Sequence, residues 1–433
     1  MENLKKLPKI VEQVFSLLNE KQYPYAVLRN YEGLPQYNRS RDIDILIAPT
    51  YYNSIKKDVV SCLIENGFYI ITLFESERLR TIVCGKIING DIEIIQFDFF
   101  IHTSAYGNII IKAEDMLATR EIENNVYHVS REYQFLDKYL YIKYVGAEYP
   151  QKYHHILEEM KQSSQIVKFL SRYNISSVDQ LIEMPTKKFR KIISQKVGKS
   201  YTNRISFWCH YIANQLSYRG FSFGFTGPDG VGKTTIINEV NKVLSAIYKV
   251  NEYHFRPMMF GNLSEVAHSA GIKKNVDRNY QKPHRGGKTN AISSLLRLVY
   301  YSIDYVFGYI KSIRPLLVKR QIVIFDRYYT DIVCDSRRSR IFLNYKFLQW
   351  VGKIFIPALD YNILLTADTE TILSRKQELD REGIDNINAK IDYLKNKKSY
   401  TKILNNGTPL EAVSKVITHI FSEQHRKNLK RLK

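Results

Sequence analysis

The chain has 433 residues, of which 44% are hydrophobic and 25% charged, and its net charge is +21 at pH 7. This composition is ordinary for a globular protein with more than one core, and 20 glycines with 12 prolines exclude collagen-like and low-complexity chains. The charge is uneven, since residues 1–150 carry a net −3 and residues 151–433 a net +24. A basic half of this kind indicates an anionic partner: a nucleotide, a phosphorylated sugar, a nucleic acid or an anionic membrane surface.

The sequence shows no apolar run of membrane-spanning length. The most apolar stretch, Leu295–Ile310, contains Arg297 and Asp304 and is predicted to be a packed helix. The N-terminus lacks the pattern of a secretory signal. The four cysteines lie too far apart for a zinc or redox motif: Cys62, Cys84, Cys209 and Cys334. We therefore expect a cytoplasmic protein without a transmembrane segment, for which peripheral association with a membrane surface stays open.

Residues 1–130 predict an α+β domain. A helical stripe runs from Leu4 to Leu18, and a second helix is expected at 53–65. Short runs rich in β-forming residues predict strands at 25–28, 43–48, 68–74, 81–88 and 92–101. The last two flank Asn89-Gly90, a strong hairpin signal.

Residues 131–219 predict a helical connector, and residues 220–433 an α/β domain. The connector contains helical patterns at 133–145, 154–173, 177–197 and 204–216. In the last domain, the strand 222–226 precedes a glycine-rich loop and a helix at 233–244, and strands follow at 322–325 and 361–366. This alternation predicts a parallel sheet with helices on both faces and a ligand at its carboxyl edge.

The glycine-rich loop fits the phosphate-loop pattern G-x-x-x-x-G-K-[ST] over Gly227–Thr234. Its glycines let backbone amides point at phosphate oxygens, and the following helix adds its positive N-terminal dipole. Lys233 supplies a cation for the β- and γ-phosphates, and the Thr234 hydroxyl is a ligand for Mg²⁺. The plainer alternative is a turn that only precedes a helix.

A second motif follows the strand 322–325. Asp326 is placed to orient Mg²⁺ at the edge of the sheet, and Arg327 to hold a second anion. The alternative is an ion pair on the surface at the end of a strand.

These residues resemble the thymidylate kinases. The loop Gly227–Thr235 is similar to their acidic phosphate loop, and Asp326-Arg327-Tyr328 to their D-R-[YH] motif. Weaker similarities are the segments 313–317, 365–368 with Arg375, and 405–408. The resemblance covers about residues 220–425 and implies a phosphate-loop kinase domain.

The resemblance implies a set of site residues. ATP and Mg²⁺ would be held by Gly227, Gly230, Val231, Gly232, Lys233, Thr234, Thr235 and Asn406, with Asp326 as a further metal ligand. Asp229 would face the acceptor, and Arg327 the acceptor phosphate or the transferred phosphoryl group. Arg375 and Arg381 would close as lid arginines, although residues 378–381 also fit an ordinary solvated helix.

The segments that bind thymine in that family differ here. Their R-E-P is replaced by His254-Phe255-Arg256-Pro257, and the helix after D-R-Y by a stretch containing Arg337, Arg338 and Arg340. We therefore expect Arg256, Arg337 and Arg338 to bind an anionic or hydroxylated acceptor other than dTMP, such as a phosphosugar or the end of a glycan.

Two carboxylates stand at alternate positions at the start of the predicted strand 43–48, in the sequence Asp42-Ile43-Asp44. Alternation puts Asp42 and Asp44 on one face, where with Asp98 of a later strand they could bind Mg²⁺. This pattern resembles the nucleotidyltransferase superfamily, although Arg29-Asn30 stands where active members have G-[GS]. Aspartates that only face solvent are the plain alternative.

The leading hypothesis is a phosphotransferase dependent on ATP and Mg²⁺, of the thymidylate kinase-like class, acting on a sugar or surface-polysaccharide precursor, behind a nucleotidyltransferase-like domain. One alternative is a nucleoside monophosphate kinase for dTMP with an appended domain. Another is a protein that processes or binds nucleic-acid ends, suggested by the basic C-terminal half and the 32 tyrosines.

Overall fold

The structure, a computed structural model, describes residues 4–151, 154–197, 201–217, 220–260, 290–376, 379–397 and 399–432. The chain divides into two compact units. Unit 1 takes in the chain up to Ile88, Glu93–Leu216 and the C-terminal end from Phe421, and unit 2 takes in Asn89–Ile92 and Ser217–Ile420. The domain limits drawn from the sequence at residues 130 and 219 stay predictions. Among the helices in these described ranges, none is long and apolar enough to cross a lipid bilayer.

Unit 1 contains a mixed seven-stranded sheet and two small two-stranded sheets. Its strands are β1 (Lys5–Lys6), β2 (Tyr25–Val27), β3 (Tyr37–Asn38), β4 (Asp42–Ile47), β5 (Tyr69–Glu75), β6 (Leu79–Ile88), β7 (Asp91–Phe100), β8 (Thr103–Ala105), β9 (Asn108–Ile111), β10 (Glu121–Glu123) and β11 (Val126–His128). The main sheet has the order β10-β11-β2-β4-β7-β6-β5, while β1 with β3 and β8 with β9 form two small antiparallel pairs. The five strands expected from the sequence are present, and the short strands β1, β3 and β8 to β11 were not predicted.

The helices of unit 1 differ from their sequence patterns: those predicted at 53–65, 133–145 and 204–216 begin one to three residues earlier, and the single helix predicted over 154–173 is wrong, because it is divided in two. They are α1 (Ile10–Glu20), α2 (Tyr52–Glu65), α3 (Ala113–Leu117), α4 (Arg131–Val145), α5 (His154–Met160), α6 (Ser164–Ser171), α7 (Val178–Glu183), α8 (Thr186–Val197) and α9 (Tyr201–Leu216). The first helix begins at Ile10 and not at Leu4, because Lys5 and Lys6 pair with β3 and Pro8 follows them. The single helix predicted over 177–197 is wrong as well, since Pro185 holds the preceding Met184 in an extended conformation between α7 and α8.

The two faces of the unit 1 sheet are covered by different helices. Along β4, Ile43, Ile45 and Ile47 belong to the hydrophobic cluster that contains side chains of α1 and α2. Leu46 belongs to the cluster formed by side chains of α4 to α8. Because side chains alternate along a strand, the carboxylates of Asp42 and Asp44 lie on the face toward α4.

The C-terminal end of the chain completes an edge of the same sheet. In the last helix, Asn428 is 1% exposed and its Nδ2 donates to the carbonyls of Ile70, at 3.1 Å, and Ile71, at 2.8 Å. The Nδ1 atom of His425 accepts from the Ile70 amide at 3.0 Å. These bonds satisfy backbone groups of the edge strand β5 that would otherwise lack partners in the sheet.

Unit 2 is built on a parallel five-stranded sheet. Its strands are β12 (Ser222–Thr226), β13 (Val250–His254), β14 (Ile322–Asp326), β15 (Tyr361–Thr366) and β16 (Tyr400–Leu404). They lie in the order β13-β14-β12-β15-β16, with every pair parallel. The sequence patterns predicted β12, β14 and β15, and the two edge strands were missed.

The helices of unit 2 connect these strands. They are α10 (Lys233–Leu244), α11 (Ala291–Gly308), α12 (Arg314–Val318), α13 (Tyr329–Cys334), α14 (Ser336–Ser339), α15 (Tyr345–Phe355), α16 (Thr369–Arg375), α17 (Arg381–Leu394) and the first part of α18 (Pro409–Leu432), whose residues from Phe421 belong to unit 1. A π-helical turn over Tyr309–Ile313 joins α11 to α12. From the central strand β12 the chain crosses to β13 at one edge of the sheet, and from there each later strand lies further toward the opposite edge. Since parallel crossovers are right-handed, the helices cover both faces.

A buried ion pair in unit 1 gives a stability prediction. Asp137, 2% exposed on α4, accepts from Arg78 Nη2 and Thr103 Oγ1, each at 2.6 Å. We expect Asp137→Ala to lower the free energy of unfolding of unit 1 by about 3 kcal/mol, because it leaves a buried guanidinium without its carboxylate. Urea unfolding followed by the fluorescence of Trp208, in a Trp350→Phe background, measures it.

The control for this measurement is the exposed pair of Arg131 and Glu159, 2.9 Å apart. Glu159→Ala removes a carboxylate from solvent-accessible surroundings and should cost less than about 1 kcal/mol. Equal losses in the two variants would contradict the assignment of Asp137 as a buried anchor.

Candidate functional site

The loop between β12 and α10 forms the centre of the unit 2 site. Gly230 and Gly232 have φ of 86° and 90°, in the left-handed region where a side chain is strained. A Cβ on Gly232 would also lie 2.8 Å from Nδ2 of Asn405. The loop leads into the first turn of α10, where helix amides are without intrahelical partners and the dipole is positive. It therefore presents the backbone geometry that binds phosphate groups.

Lys233 is folded into this loop. It is 6% exposed, and its Nζ donates to the carbonyls of Gly227, at 2.7 Å, and Pro228, at 2.8 Å. Burial lowers the pKa of Lys233 most, and the charge of Arg327 lowers it further, to about 7. Nearby acids raise this pKa, but their effect is smaller. The nearest carboxylate oxygen, on Asp229, lies 4.0 Å away. An anion entering the loop would give this ammonium group a closer partner.

Asp326 is the last residue of β14, beside the loop, and one of its two carboxylate oxygens has a hydrogen-bond partner. Its Oδ2 lies 3.2 Å from Nδ1 of His254, which is directly opposite on β13, while Oδ1 is buried without a hydrogen-bond partner. Burial raises the pKa of Asp326, but the hydrogen bond from His254 and the charges of Arg327 and Lys233 outweigh it, so the pKa is lowered overall. The group is an anion at neutral pH.

These residues fit a magnesium ion bound together with a nucleotide. Mg²⁺ is held in such sites by one or two protein oxygens and by the substrate's phosphates. The unpartnered Oδ1 of Asp326 and the exposed hydroxyl of Thr234 provide oxygens of that kind. In the part of the chain that the structure describes, no group of three or more His, Cys, Asp or Glu side chains is placed to bind a metal without such help.

Arg327 has a strained backbone. Its φ is 73°, its amide donates to the carbonyl of Phe225 at 3.0 Å, and its guanidinium is 4% exposed. Nη1 donates to Asp331 at 2.9 Å and Nη2 donates to Asp229. Burial disfavours the charge, but the carboxylates of Asp331 and Asp229 raise the pKa of Arg327 above its ordinary value. A left-handed non-glycine residue of this kind is typical of functional sites.

The carboxylate of Asp229 joins two arginines. Its Oδ1 accepts from Arg327 and its Oδ2 accepts from Arg338. The Nε atom of Arg338 lies 3.7 Å from Asp335, and neither arginine is more than 18% exposed. Two fixed guanidinium groups therefore converge on one anion next to the phosphate loop, which is the arrangement that binds a phosphoryl group.

Several residues assigned to the site lie in other contacts. Arg337 faces Asp380 at 3.4 Å and is exposed, and Arg381 pairs with Glu370. Arg375 donates to the Asn405 carbonyl at 3.0 Å and Asn406 donates to Asp368 at 2.6 Å. Thr235 is exposed on α10. The roles given to these residues stay predictions.

Arg256 is also engaged elsewhere. It is 5% exposed, its Nη1 donates to the fully buried Asp304 at 2.9 Å, and its guanidinium lies 4.6 Å from the ring centre of Tyr301. Its assignment as an acceptor-binding residue is not tested by these contacts.

Four residues in this network were not given a role by the sequence motifs. They are His254 on Asp326, Asp331 on Arg327, Asp335 near Arg338, and Asn405, whose Nδ2 donates to the Val231 carbonyl at 2.8 Å. Asp331 lies on the short helix α13, four residues after Arg327, and this short separation was the available signal for one of them. The others come from distant parts of the sequence.

The fold of unit 2 follows from its own topology. The strand β12, at the centre of the parallel sheet, leads through a glycine loop into a helix, and the acid of β14 stands at the same edge. Unit 2 has the phosphate-loop NTPase fold.

Comparison with known proteins finds similarity to solved structures only. No family model matches the chain, and no curated protein matches it. The crystal structure of thymidylate kinase from Ehrlichia chaffeensis is similar to 46% of this chain and is itself covered over 98% of its length, at 17% sequence identity and a TM-score of 0.31. A similarity at this level says nothing about the substrate or the activity of this chain.

Unit 1 contains a separate cavity of about 990 Å³ over β4 and β7. Asp44 and Asp98 lie in register on these neighbouring parallel strands, and Asp42 lies opposite Gln96. The cavity is lined by both acidic and basic side chains, among them Arg29, Glu32, Arg39, Asp42, Asp44, Asp98, Arg131 and Lys138.

The carboxylates of Asp42, Asp44 and Asp98 do not fit a metal ion as they stand. Asp44 Oδ2 is 2.5 Å from Nε of Arg29, which places a cation where a metal would bind. Asp98 accepts from Thr81 at 2.6 Å and from Gln96 at 2.8 Å, so both of its oxygens have donors. We assign no metal-dependent step to them.

The pair of Arg29 and Asp44 makes a prediction about metal binding. In the full chain without nucleotide, we expect Mn²⁺ titration followed by electron paramagnetic resonance to show no site in unit 1. Arg29→Ala should create one, because it removes the competing cation from Asp44, which shares a strand face with Asp42. Arg39→Ala, a second cavity arginine, is the matched control. A wild-type Mn²⁺ site that Asp44→Asn abolishes would show that the carboxylates bind metal despite Arg29.

Proposed function

We propose that unit 2 is a phosphotransferase dependent on ATP and Mg²⁺, of the thymidylate kinase-like class, whose acceptor is a sugar or surface-polysaccharide precursor and not dTMP. The observation that carries this proposal is the convergence of Arg327 and Arg338 on Asp229 beside the phosphate loop. A loop that only bound nucleotide would have no need of a second, strongly cationic anion site at its edge.

In such a reaction each of these residues has its own role. The loop amides and Lys233 bind the β- and γ-phosphates, and Asp326 with Thr234 would hold Mg²⁺, which supplies positive charge to the phosphate oxygens when bound. Arg327 and Arg338 exchange their hydrogen bonds with Asp229 for bonds to the transferred phosphoryl group or to a phosphate of the acceptor. The positions of these donors are fixed before the substrate binds, which is how electrostatic stabilisation is most effective.

The choice of acceptor rests on what surrounds these arginines. The segments that bind thymine in thymidylate kinases are replaced in this sequence by 254–257 and 330–338. In the structure the first of these segments places Arg256 in an ion pair with Asp304, and the second provides Asp331 and Arg338 of the network. Polar and charged groups of this kind suit a hydroxylated or phosphorylated acceptor better than a thymine ring.

For unit 1 we propose a nucleotidyltransferase-like fold. The D-x-D strand and the register of Asp44 with Asp98 support it. We further propose a reducing, cytoplasmic location, which the unpaired state of all four cysteines supports.

The acceptor class is tested by measuring ADP formation from ATP and Mg²⁺ with dTMP, other nucleoside monophosphates, hexoses and hexose phosphates. We expect turnover with a sugar or sugar phosphate and no appreciable turnover of dTMP. Rapid and selective turnover of dTMP would favour the nucleoside monophosphate kinase alternative. Activity only on nucleic-acid ends would favour a protein that processes such ends.

For each of these acceptors, Lys233→Ala should reduce turnover at least ~100-fold, because it removes the cation of the phosphate loop. Unchanged turnover in that variant would place ATP elsewhere.

Two neighbouring arginines give a matched pair of variants. We expect Arg338→Gln to lower kcat about 100-fold, because Arg338 is one of the two donors fixed at the anion site. Arg337→Gln removes an exposed contact with Asp380, and its predicted part in binding the acceptor would show in KM, so kcat should change less than about twofold. Similar losses in both variants would remove the basis for assigning Arg338, and not its neighbour, to the reaction.

A further inference from the structure

Helix α11 exposes an unusually apolar face. Seven large apolar side chains, which we call the α11 stripe, are between 43% and 72% exposed: Ile292, Leu295, Leu296, Val299, Ile303, Phe307 and Ile310. At 100° per residue they fall within one band of about 120° along the helix and its π-helical extension. The sequence predicted this stretch to be a packed helix, and for this face that prediction was wrong.

The opposite face of the same helix holds it to unit 2. Leu298 is 2% and Tyr305 0% exposed, and Tyr305 donates to the carbonyl of Phe255 at 2.7 Å. A Cβ on Gly308 would collide with the ring of Pro257, so the helix packs closely there. The stripe is therefore a second apolar face, on a helix whose first apolar face is already buried. A helix that is apolar on both sides is typical of one covered on both sides.

The charges around the stripe indicate what covers it. The segment 290–320 carries Arg297, Lys311, Arg314, Lys319 and Arg320, of which Lys311, Arg314 and Lys319 are exposed at the end of the stripe. Its single acid, Asp304, is fully buried against Arg256. The occupant therefore combines an apolar interior with negative charge at its margin. A second copy of this face would bring no exposed carboxylate from this segment to pair with these cations.

A neighbouring helix has the same character. On α15, Phe347, Trp350, Ile354 and Phe355 are between 41% and 55% exposed. Lys346 and Lys353 belong to this helix, and the segment 341–357 contains no acid. The amide of Phe342, just before α15, donates to Ser294 on α11 at 3.2 Å, so the two helices are joined near their N-terminal ends. Exposed aromatic rings with lysines are typical of helices that lie in the interface of a bilayer.

We propose that the α11 stripe and the exposed side of α15 dock unit 2 onto an anionic lipid surface. The apolar side chains enter the boundary between headgroups and acyl chains, and the cations bind the negative headgroups. This inference does not depend on the proposed phosphotransferase activity, because none of its residues belongs to the phosphate loop or to the anion site beside it.

Sedimentation of the full chain with vesicles tests the proposal. We expect binding to vesicles of phosphatidylcholine with phosphatidylglycerol, much weaker binding to phosphatidylcholine alone, and loss of binding as salt is raised. Leu296→Glu combined with Phe307→Glu should weaken binding at least ~10-fold, because two apolar anchors become charged. Arg314→Gln with Lys319→Gln should weaken binding to the anionic vesicles selectively.

Two control variants test whether the loss of vesicle binding is specific to the α11 stripe. Leu410→Glu changes an equally exposed leucine, 58% exposed at the start of α18, and should bind as the wild type does. Lys233→Ala should also bind normally, so that failure of the kinase proposal is distinguishable from failure of this one. Circular dichroism melting confirms that each variant is folded.

Three results would overturn the proposal. They are no binding of the wild-type chain to anionic vesicles, unchanged binding of the Leu296→Glu, Phe307→Glu variant, or binding that is equal in the stripe variant and the Leu410→Glu control. Sedimentation velocity adds a further one. A wild-type dimer that the stripe variant converts to monomer, without any binding to vesicles, would assign the stripe to self-association.

Discussion

The carboxylate of Asp229 holds two guanidinium groups beside the phosphate loop, and the rest of the unit 2 site is arranged around that contact. Arg327 and Arg338 are largely buried, and Lys233 lies close by with a lowered pKa. Without an anion between them, these positive charges would repel one another in surroundings that water does not screen. Asp229 supplies that anion when no substrate is bound. A phosphoryl group has the same sign of charge and more oxygens, so it can take over the same donors. The strained backbone of Arg327 then has a structural role, because it directs the guanidinium at this point.

Unit 1 shows the same electrostatic rule with the signs reversed. Its sheet places Asp44 and Asp98 side by side, which is an unfavourable arrangement for two carboxylates unless positive charge or hydrogen-bond donors compensate them. Here the compensation comes from the protein itself, through Arg29 on Asp44 and through Thr81 and Gln96 on Asp98. A cation that is part of the chain takes the place that a metal ion could have occupied. The cavity above these residues is accordingly lined by groups of both charges.

The surface of unit 2 follows a different constraint. Burial of one face of α11 stabilises the unit, but a second apolar face on the same helix adds nothing to the fold and is unfavourable in water. The exposed side of α15 is apolar as well, and the exposed charges of the segments 290–320 and 341–357 are positive. An anionic bilayer matches both properties at once, which connects the high net charge of the C-terminal half with particular side chains.

The sequence by itself determined the phosphate loop, the acid at the end of β14 with the arginine that follows it, and the alternation that puts Asp42 and Asp44 on one face. These features depend on residues that are neighbours along the chain, so local spacing and backbone preference are enough to predict them. The short edge strands β13 and β16, the partners of Asp229, the pairing of Arg29 with Asp44 and the exposed side of α11 were decided only by the tertiary structure. Arg338 reaches Asp229 across more than one hundred residues of sequence. No local pattern specifies such a contact, because it forms only once the sheet has fixed the distance between the two segments. Likewise, hydrophobic periodicity reveals that a helix has an apolar face, and only the packing of its neighbours decides whether that face is covered.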